Sequence, residues 1–449
     1  MKLWQKNNTS LNRKIEKFTV DKDVSFDQRL AEMDCYASIA HAKMLQKAKI
    51  ISKNDFKKLK KELLNIIRLN NNNKFKLTVR DEDIHSKIEN HLTRKLGDLG
   101  KKIHTARSRN DQVLVDTRLY SKKNILEVEE QLLYLCSTLL KFSEKNEFVP
   151  MPGYTHTRKA MPSSVGLWAS SFIESLLDDL TLLKAAYNLN NQNPLGSAAG
   201  YGVSIHINRN LTTELLGFDR LQNNVLYVQN SRGKIESIIL SALMQIMIDV
   251  GRLANDLIMF SSSEFNFIKL PEEFCTGSSI MPHKWNPDVL ELVRGKSSVM
   301  QSYLFQVTNI IDSLPSGYNR DLQLTKEPIM EGLELTKLTL EIVSLVISKL
   351  KANKSALVKA CNIELFATDK TLDLVEQNVP FRDAYKIIAE SRFDLNIDPV
   401  ENIKSKKHQG ATGNLGLKKL EERIKAESKK LNKENVLFDK TIKKIERLN

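Results

Sequence analysis

The sequence has no apolar run approaching the roughly 20 residues that a membrane-spanning helix needs. Its N-terminus, Met1 to Lys6, also has no apolar segment of the kind found in secretory signals. Cysteines are few, and no two of them form the C-x-x-C pair of zinc knuckles and redox sites: Cys35, Cys136, Cys275 and Cys361. These absences predict a soluble protein of a reducing, cytoplasmic compartment, with no membrane partner.

Acidic residues are outnumbered, since 68 Lys and Arg against 54 Asp and Glu give a formal charge of +14. Such a charge is typical either of a nucleic-acid-binding surface or of a Lys-rich surface around a basic cleft for an anionic substrate. Lys greatly outnumbers Arg, and clusters such as Lys57-Lys58 and Lys443-Lys444 lie in helical patterns with Leu, Ile and Glu. No basic stripe is studded with aromatic residues. We therefore interpret the charge as solvated helix faces and predict no nucleic-acid partner.

Strand signals are nearly absent, and long helical patterns take their place. Apolar residues recur at three-to-four spacing over several long stretches: 111–142, 163–187, 231–260, 287–311 and 331–350. Because the usual helix has about 11 to 12 residues, these lengths indicate a bundle of long, nearly parallel helices. Stretch 231–260 is apolar around most of its circumference. We expect it to be buried on several sides, by other subunits as well as by its own chain.

Shorter helical patterns flank this bundle. Residues 27–46 and 55–69 predict amphipathic helices before it, and the pattern shortens again after residue 356, where Gly410 and Gly413 interrupt two helical runs. At 449 residues the chain is long enough for two or three domains. We predict an all-α fold of three domains: a mixed-helical N-terminal domain (1–105), a central long-helix domain (106–355) and a small C-terminal helical domain (356–449).

The most distinctive stretch is residues 277–287, which read GSSIMPHKWNP. It opens with Gly and two hydroxyls and contains Lys284. It ends in a helix-start signal, with Asn286 as N-cap, Pro287 at the first helical position and Asp288 in the first turn. Free N–H groups, a helix N-terminus and a cation suit a carboxylate or a phosphate. The alternative is an ordinary capped helix behind a flexible loop, which composition alone favours.

Two other strings combine structural and chemical signals. Residues 105–111, TARSRND, have the S-x-x-D spacing of a helix cap, and their Arg and Asn side chains also suit bidentate carboxylate binding. Residues 151–162, MPGYTHTRKAMP, predict a Pro-bracketed loop before the second long helix. A loop histidine is usually structural or merely exposed. Here the rigid flanks, hydroxyls and nearby cations favour His156 as a positioned acid or base.

Three further segments are open to a structural interpretation. Residues 193–202 are Gly-rich but match neither a P-loop nor a dinucleotide fingerprint, so we predict a close backbone approach at a bend and no nucleotide. Glu291, in an apolar run, is either turned to solvent or buried beside a partner such as histidine. Residues 318–327 form a polar string, by default a solvated loop. The nearest approach to metal-ligand spacing is His85 with Glu89, which lacks further ligands, so no metal is predicted.

Together these strings resemble the argininosuccinate lyase family of the aspartase/fumarase superfamily, from about Phe26 to Thr412. The strings from Thr105 to Val113 and from Pro152 to His156 separate this family from adenylosuccinate lyases, fumarases and aspartases. The resemblance implies reversible anti β-elimination of argininosuccinate to arginine and fumarate, the last step of arginine biosynthesis, without metal or organic cofactor. It also implies a homotetramer on a 20-helix core, in which three subunits form each active site.

The resemblance also assigns catalytic roles. Ser278 would remove the Cβ proton as an alkoxide-like base, and Lys284 and Asn286 would stabilise the aci-carboxylate that follows. Because a free hydroxyl is a poor base, a nearby cation and a helix end must depress its pKa. His156 would protonate the leaving guanidinium, and Glu291 would raise the basicity of that histidine.

The remaining matching positions would bind substrate. Those around the carboxylates are His85, Arg109, Asn110 and Thr155; those at the arginine end are Tyr318, Gln323 and Lys326, with Arg232 as a further contact. Asp23 stands where the family has a substrate-binding serine, and Ser25 lies two positions away. Three other functions stay open: another fumarate-releasing lyase, a non-catalytic structural protein on this fold, and a basic helical nucleic-acid binder. Intact Ser278 and His156 argue against the second.

Overall fold

A computed structural model describes residues 12–20, 22–391 and 397–449. These residues are mostly helical, which confirms the predicted all-α class. The helices are α1 (Arg13–Val20), α2 (Asp23–Lys47), α3 (Lys53–Asn71), α4 (Ile84–Leu96), α5 (Asp98–Lys101), α6 (Arg109–Lys145), α7 (Val165–Asn190), α8 (Arg209–Leu215), α9 (Val225–Asn230), α10 (Lys234–Ser261), α11 (Asp288–Ile311), α12 (Lys326–Lys349), α13 (Lys354–Ala360), α14 (Ala367–Glu376), α15 (Phe381–Glu390), α16 (Pro399–Ser405) and α17 (Leu417–Arg447).

The strands are short and occur only as pairs within the described part of the chain. The antiparallel pairs are β1 (Pro150–Thr155) with β2 (Arg158–Ser164), β5 (Ile268–Lys269) with β8 (Lys351–Ala352), and β6 (Thr276–Gly277) with β7 (Trp285–Asn286). One pair is parallel: β3 (Gln192–Asn193) with β4 (Arg220–Leu221). These pairs join or follow helices and do not form a core of their own.

The predicted long helices are present as α6, α7, α10, α11 and α12, and they pack along one another. Helix α6 lies against α7 and α12, while α10 lies against α7, α11 and α12. Their apolar stripes meet in one core, in which Leu132, Leu243 and Leu340 are fully buried. Burying one such leucine side chain contributes about 1.5–3 kcal/mol, so the three-to-four spacing of apolar residues is sufficient reason for the bundle.

Helix α10 is buried on several sides, as its sequence predicts. Among the described residues it is the one helix that is long and apolar enough to cross a membrane, and 56% of that stretch is buried inside the protein. It is therefore the core helix of the bundle. On its neighbour α11, by contrast, Leu292 and Phe305 are 63% and 71% exposed. These two side chains leave part of α11 apolar and exposed in the single chain.

The prediction of Asn286 as an N-cap was wrong by one position. Helix α11 begins at Asp288, and Pro287 occupies the N-cap position without a side-chain cap. Asn286 instead lies in strand β7, where it pairs with Thr276. The Thr276 hydroxyl also contacts the Asp288 carboxylate. Asn286 is therefore part of the strand pair at the base of the 277–287 loop and does not cap α11.

The predicted Pro-bracketed loop is a β-hairpin, so that prediction was also wrong. Pro152 faces Pro162 across the β1–β2 pair, which a two-stranded ribbon tolerates because each strand has a free edge. The register shifts next to Gly153, where an added Cβ would lie 3.0 Å from the Met161 carbonyl oxygen. His156 and Thr157 form the turn between the strands, with φ angles of 51° and 58°.

The polar string 318–327 is ordered by the protein, contrary to its default interpretation as a solvated loop. Arg320–Thr325 form a 3-10 helix, and α12 begins at once with Lys326, earlier than the predicted residue 331. Helix α10 begins later than predicted, at Lys234, because Gly233 turns the chain with a φ of 81°. An added Cβ at Gly233 would lie 2.2 Å from the Ile311 side chain. Both shifts place polar residues at the helix starts.

The last third of the chain contacts the bundle in two ways. Helices α13 and α16 pack on the β1–β2 hairpin, and Lys159 Nζ donates to the Ala360 carbonyl at 2.7 Å. Helix α17 returns to the long helices, where Arg423 pairs with Asp178 at 2.9 Å. The three predicted domain ranges stay a prediction.

Candidate active site

Lys326 is buried at the start of α12, where its ammonium lies between two carboxylates of α2. Its Nζ is 2.5 Å from Asp27 Oδ1 and 3.0 Å from Asp23 Oδ1, and its side chain is 2% exposed. Asp23 and Asp27 are one helical turn apart and so project from the same face of α2. Burial raises the pKa of Asp23 although Lys326 opposes it. Burial acts to lower the pKa of Lys326, but the carboxylates outweigh it and raise that pKa.

Arg232, Gln323 and Tyr318 adjoin this ion pair. Arg232 Nη2 donates to Gln323 Oε1 at 3.0 Å, and Gln323 Nε2 donates to the Tyr318 hydroxyl at 3.2 Å. The Arg232 guanidinium also lies 5.7 Å from the centre of the Tyr318 ring, within cation–π range. The positive charge of Arg232 acts to lower the pKa of both Asp23 and Lys326. Carboxylates, cations and an amide thus meet in one cluster, which suits a zwitterionic amino-acid group.

We expect Lys326→Met to lower the free energy of unfolding by about 3 kcal/mol, because Asp23 and Asp27 would stay buried without their cation. Urea denaturation followed by circular dichroism measures this change. The matched control is Lys425→Met, which removes an ion pair with Glu421 whose partners are 70% and 41% exposed. Its effect should stay within about 0.5 kcal/mol. Equal urea midpoints for the two variants would contradict a stabilising role of the buried Lys326 ion pairs.

His85 lies in the first turn of α4, buried against α2 and α6. Its Nδ1 contacts an Asp34 oxygen and lies 3.6 Å from Asp116 Oδ2. Asp34 in turn accepts from Ser38 at 2.9 Å, and Arg107 donates to the same hydroxyl at 2.9 Å. Burial opposes charge on both partners, but their mutual attraction lowers the pKa of Asp34 and raises that of His85. His85 is thereby fixed in one orientation.

The fold brings together a potential ligand set that sequence spacing did not reveal. One ligand atom each from Asp34, His85 and Asp116 lies within 4.8 Å of the others. However, His85 Nδ1 is already hydrogen-bonded to Asp34, and the Arg107 charge acts on the same carboxylate. Burial raises the pKa of Asp116 well above its ordinary value. The cluster therefore fits a protonated Asp116 beside an ion pair better than a bound cation.

Asp27 connects the two clusters. One of its oxygens binds Lys326, and the other accepts from the Ile84 backbone N–H at 3.3 Å, at the start of the helix that carries His85. The Lys326 cluster and His85 are consequently neighbours. The sequence-predicted residues of the arginine end and His85 thus belong to one polar region between α2, α4 and α12.

Arg109 and Asn110 open helix α6, whose first turn is fixed by a capping box. Arg109 lies 3.2 Å from Glu82 and 3.3 Å from Asp83, and it donates to Ser86 at 2.7 Å. To bind a substrate carboxylate, the Arg109 guanidinium must release at least one of these three partners. The Asn110 side chain is half-buried and forms no hydrogen bond with the described residues. It is the more available donor of the two.

The 277–287 loop is an exposed hairpin that carries three predicted catalytic residues. Ser278 Oγ accepts from the Met281 N–H at 3.0 Å and the Ile280 N–H at 3.3 Å. Lys284 is exposed on the same loop, and Asn286 is half-buried at its base. Two backbone donors aimed at one hydroxyl oxygen stabilise negative charge on that oxygen. The loop therefore presents a pre-organised serine to solvent.

Thr155 and His156 are exposed at the tip of the β1–β2 hairpin. Positive φ at both turn residues is costly for His156 and more so for β-branched Thr157. Glu291 is exposed on α11. Among the described residues, no hydrogen bond or ion pair joins His156 to Glu291, and none joins either of them to Ser278 or the Lys326 cluster. Within one chain, these exposed residues are therefore not linked by hydrogen bonds or ion pairs to the polar region around Lys326 and His85.

The sequence interpretation did not identify Asp27 and Asp34 as parts of the site. Both lie on α2 among the fully buried Leu30, Ile39 and Ala40. A carboxylate inside an apolar helical run indicates a buried partner, and this signal is present in the sequence of α2. The identity of the partners, Lys326 and His85, follows only from the three-dimensional fold.

Comparison with known proteins shows the family of this chain. A family described as a lyase matches residues 10–301. Argininosuccinate lyase from Thermotoga neapolitana is 43% identical over 87% of this chain and 98% of its own length, and that from Bacteroides fragilis YCH46 is 44% identical over 92% of each. The structure is also similar to EDDS lyase in complex with formate, with a TM-score of 0.75, 20% identity, and coverage of 97% of this chain and 94% of that one.

The last of these likenesses shows the fold alone, because the identity is low. The two sequence relatives are similar over nearly their whole length, and the lyase family covers more than half of the chain. The motifs named from the sequence, from Thr105 to Val113 and from Gly277 to Pro287, lie within that match. The chain therefore belongs to the argininosuccinate lyase family of the aspartase/fumarase superfamily.

Proposed function

We propose that the protein cleaves argininosuccinate reversibly into arginine and fumarate, the reaction after which its relatives are named. The observation that carries this proposal from the site is the Lys326 cluster. Its buried ammonium, paired with Asp23 and Asp27 beside Arg232, suits the amino-acid end of the substrate. The succinyl end would lie toward Asn110, Thr155 and His85.

Ser278 would act as the base. Its oxygen, stabilised by the Ile280 and Met281 N–H groups, takes the proton from Cβ of the succinyl group, and the electron pair moves onto the adjacent carboxylate. Lys284 and Asn286 stabilise the resulting aci-carboxylate dianion. The Cα–N bond then breaks, fumarate forms, and His156 gives its proton to the leaving guanidinium nitrogen. Glu291 would be the acidic partner of that histidine.

This mechanism requires residues from more than one chain. The 277–287 loop and the hairpin tip are largely exposed, and across residues 12–20, 22–391 and 397–449 no hydrogen bond or ion pair joins either of them to the Lys326 cluster. The exposed apolar face of α11, with Leu292 and Phe305, supports a homotetramer held by packed long helices. Each active site would then combine the loop, the hairpin and the cluster from three subunits, in a cytoplasmic enzyme.

Incubation of the purified protein with argininosuccinate tests the activity. Fumarate should appear by its ultraviolet absorbance, with one arginine released for each fumarate. Adenylosuccinate serves as the comparison substrate, and it should release no fumarate. Release from adenylosuccinate but not from argininosuccinate would move the function to another fumarate-releasing lyase.

We expect full activity in the presence of a chelator. Two members of the potential ligand set, His85 and Asp34, are already hydrogen-bonded to each other. The proposed mechanism uses Lys284 and backbone N–H groups where a Lewis acid would otherwise act. Turnover is measured before and after treatment with EDTA and gel filtration. Loss of activity that only a divalent ion restores would contradict this expectation.

A further inference from the structure

Asp111 ties the first turn of α6 to a segment that lies far away in sequence. The residue is 0% exposed. Its Oδ1 accepts from the Ser108 N–H at 2.9 Å, which closes the capping box of α6. Its Oδ2 accepts from the N–H groups of Gly196 and Ala198 at 2.9 and 3.0 Å. A helix cap uses only the first of these bonds.

The segment that Asp111 holds is the glycine-rich stretch 193–202. Gly196, Ala198 and Gly200 all have positive φ, at 86°, 53° and 100°. Such a backbone turns successive N–H groups toward one point, where they bind an anion. Here that anion is the Asp111 carboxylate. Because Ala198 is strained in this conformation, the surrounding bonds must maintain it.

Gln229 holds the same stretch from the opposite side. Its Nε2 donates to Ser197 Oγ and to the Ala198 carbonyl, each at 3.3 Å. The Gln229 carbonyl in turn accepts from the N–H of Arg232, at 3.1 Å. At the far end of the stretch, the Tyr201 hydroxyl would lie 3.6 Å from a Cβ placed on Gly317, the neighbour of Tyr318.

The glycine-rich stretch therefore lies between the two halves of the proposed site. On one side is the α6 turn with Arg109 and Asn110. On the other side are Arg232 and Tyr318 of the Lys326 cluster. Burial raises the pKa of Asp111 to about 6 against the effect of its backbone donors. The carboxylate is thus ionised above neutral pH and can accept all three bonds.

We propose that Asp111 is a positioning residue, whose carboxylate sets the Arg109–Asn110 turn against the glycine-rich stretch and so shapes the pocket for the fumarate half of the substrate. This inference rests on the proposed function, since it assigns the α6 turn to the carboxylates of argininosuccinate. Asp111 touches no substrate itself. It affects the affinity for a dicarboxylate by setting the positions of Asn110 and its neighbours.

The simpler interpretation is that Asp111 only caps α6. Helix α3 provides a direct comparison, because Asp55 forms the same capping box with Ser52, at 3.1 Å and 3.0 Å, and accepts no hydrogen bond from a second described segment. Asp55→Asn measures what such a cap alone is worth far from the site. Ser108→Ala removes the side-chain half of the α6 cap, the hydroxyl that accepts from the Asn110 N–H at 3.3 Å, without touching the bonds to Gly196 and Ala198.

The test compares Asp111→Asn, Ser108→Ala and Gln229→Met in the full chain, with Asp55→Asn as the remote control. Calorimetry gives the Kd of each for fumarate and, separately, for arginine. We expect Asp111→Asn to weaken fumarate binding by at least about tenfold, since charge-assisted hydrogen bonds that orient the turn are lost. Its kcat/KM for argininosuccinate should fall by about 10²-fold, as expected for a small displacement of binding groups, with the loss mainly in KM.

Arginine binding should stay within about twofold, because among the described residues no hydrogen bond or ion pair joins Asp111 to the Lys326 cluster. Gln229→Met should weaken fumarate binding in the same direction, because it loosens the stretch without touching the α6 cap. Should Asp111→Asn fail to fold by circular dichroism, Gln229→Met decides the question alone. Ser108→Ala and Asp55→Asn should leave both Kd values unchanged.

Equal effects of Asp111→Asn and Ser108→Ala on fumarate binding would overturn the inference, and so would equal losses of fumarate and arginine binding. No fumarate binding by the natural protein would overturn it as well. Failure of the proposed function has a different signature, namely that the natural protein releases no fumarate from argininosuccinate. In that case the fumarate Kd values of the variants still test the positioning role of Asp111.

Discussion

Ser278→Ala should lower kcat by about 10²–10⁴-fold while leaving KM nearly unchanged, because it removes the proton acceptor and not the contacts that bind substrate. In the structure, the Ser278 oxygen accepts from two backbone N–H groups, Ile280 and Met281. That arrangement favours an alkoxide, and it also forms a local serine turn that shapes the loop. Separate measurement of kcat and of substrate affinity tests the prediction.

Ser279→Ala is the matched control, since it removes a hydroxyl from the next residue of the same loop. It should cost much less, because Ser279 is exposed and receives no such pair of donors. Lys284→Ala should lower both kcat and substrate affinity, as its charge would stabilise the dianion and attract the substrate. If the Ser278 and Ser279 variants show equal, mild losses, the loop hydroxyls only shape the loop, and His156 becomes the candidate base.

Mixing two inactive variants, His156→Asn and Ser278→Ala, should restore partial activity. His156 lies at the tip of the β1–β2 hairpin and Ser278 on the 277–287 loop, and in the described part of the chain no hydrogen bond or ion pair joins them. If each active site takes these residues from different subunits, some sites in a hybrid tetramer contain both natural residues. The variants are mixed, exchanged under mild denaturation, reassembled and assayed for fumarate release.

The matched negative control mixes Ser278→Ala with Lys284→Ala. Both residues lie on the same loop, so every loop in such a hybrid has one defect, and no activity should return. Hybrid formation is verified by native mass spectrometry. If His156/Ser278 hybrids form and stay inactive, either the sites are not shared or the two residues do not divide between subunits as proposed.

The fold was predictable because it depends on periodicity. The long helices are visible in the spacing of Leu, Ile and Val, and α6 begins where the Ser108–Asp111 cap predicts. The errors lie at element boundaries, where long-range pairing competes with local preference. Asn286 is an excellent N-cap residue, yet pairing with Thr276 takes it into a strand. Pro152 and Pro162 suggest a loop, yet they face each other across a hairpin.

The site residues that lie in a distinctive short motif could be predicted from the sequence. Those whose role depends on a partner far away in sequence could not. Ser278, Lys284 and His156 are each visible in a short motif. Lys326 was found as a position, but its partner Asp27 is 299 residues away in sequence, and no local signal connects them. Asp111 was interpreted only as a cap, because its bonds to Gly196 and Ala198 depend on how α6 meets the glycine-rich stretch.

The measurement that tests the central claim most directly is the reverse reaction in D₂O, starting from fumarate and arginine and followed by NMR. Anti addition delivers one deuteron from Ser278 to the face of fumarate opposite the attacking guanidinium. We predict argininosuccinate with a single deuterium at Cβ, as one diastereomer only. Formation of both diastereomers, or no argininosuccinate at all, would contradict a stereospecific lyase that uses one positioned base.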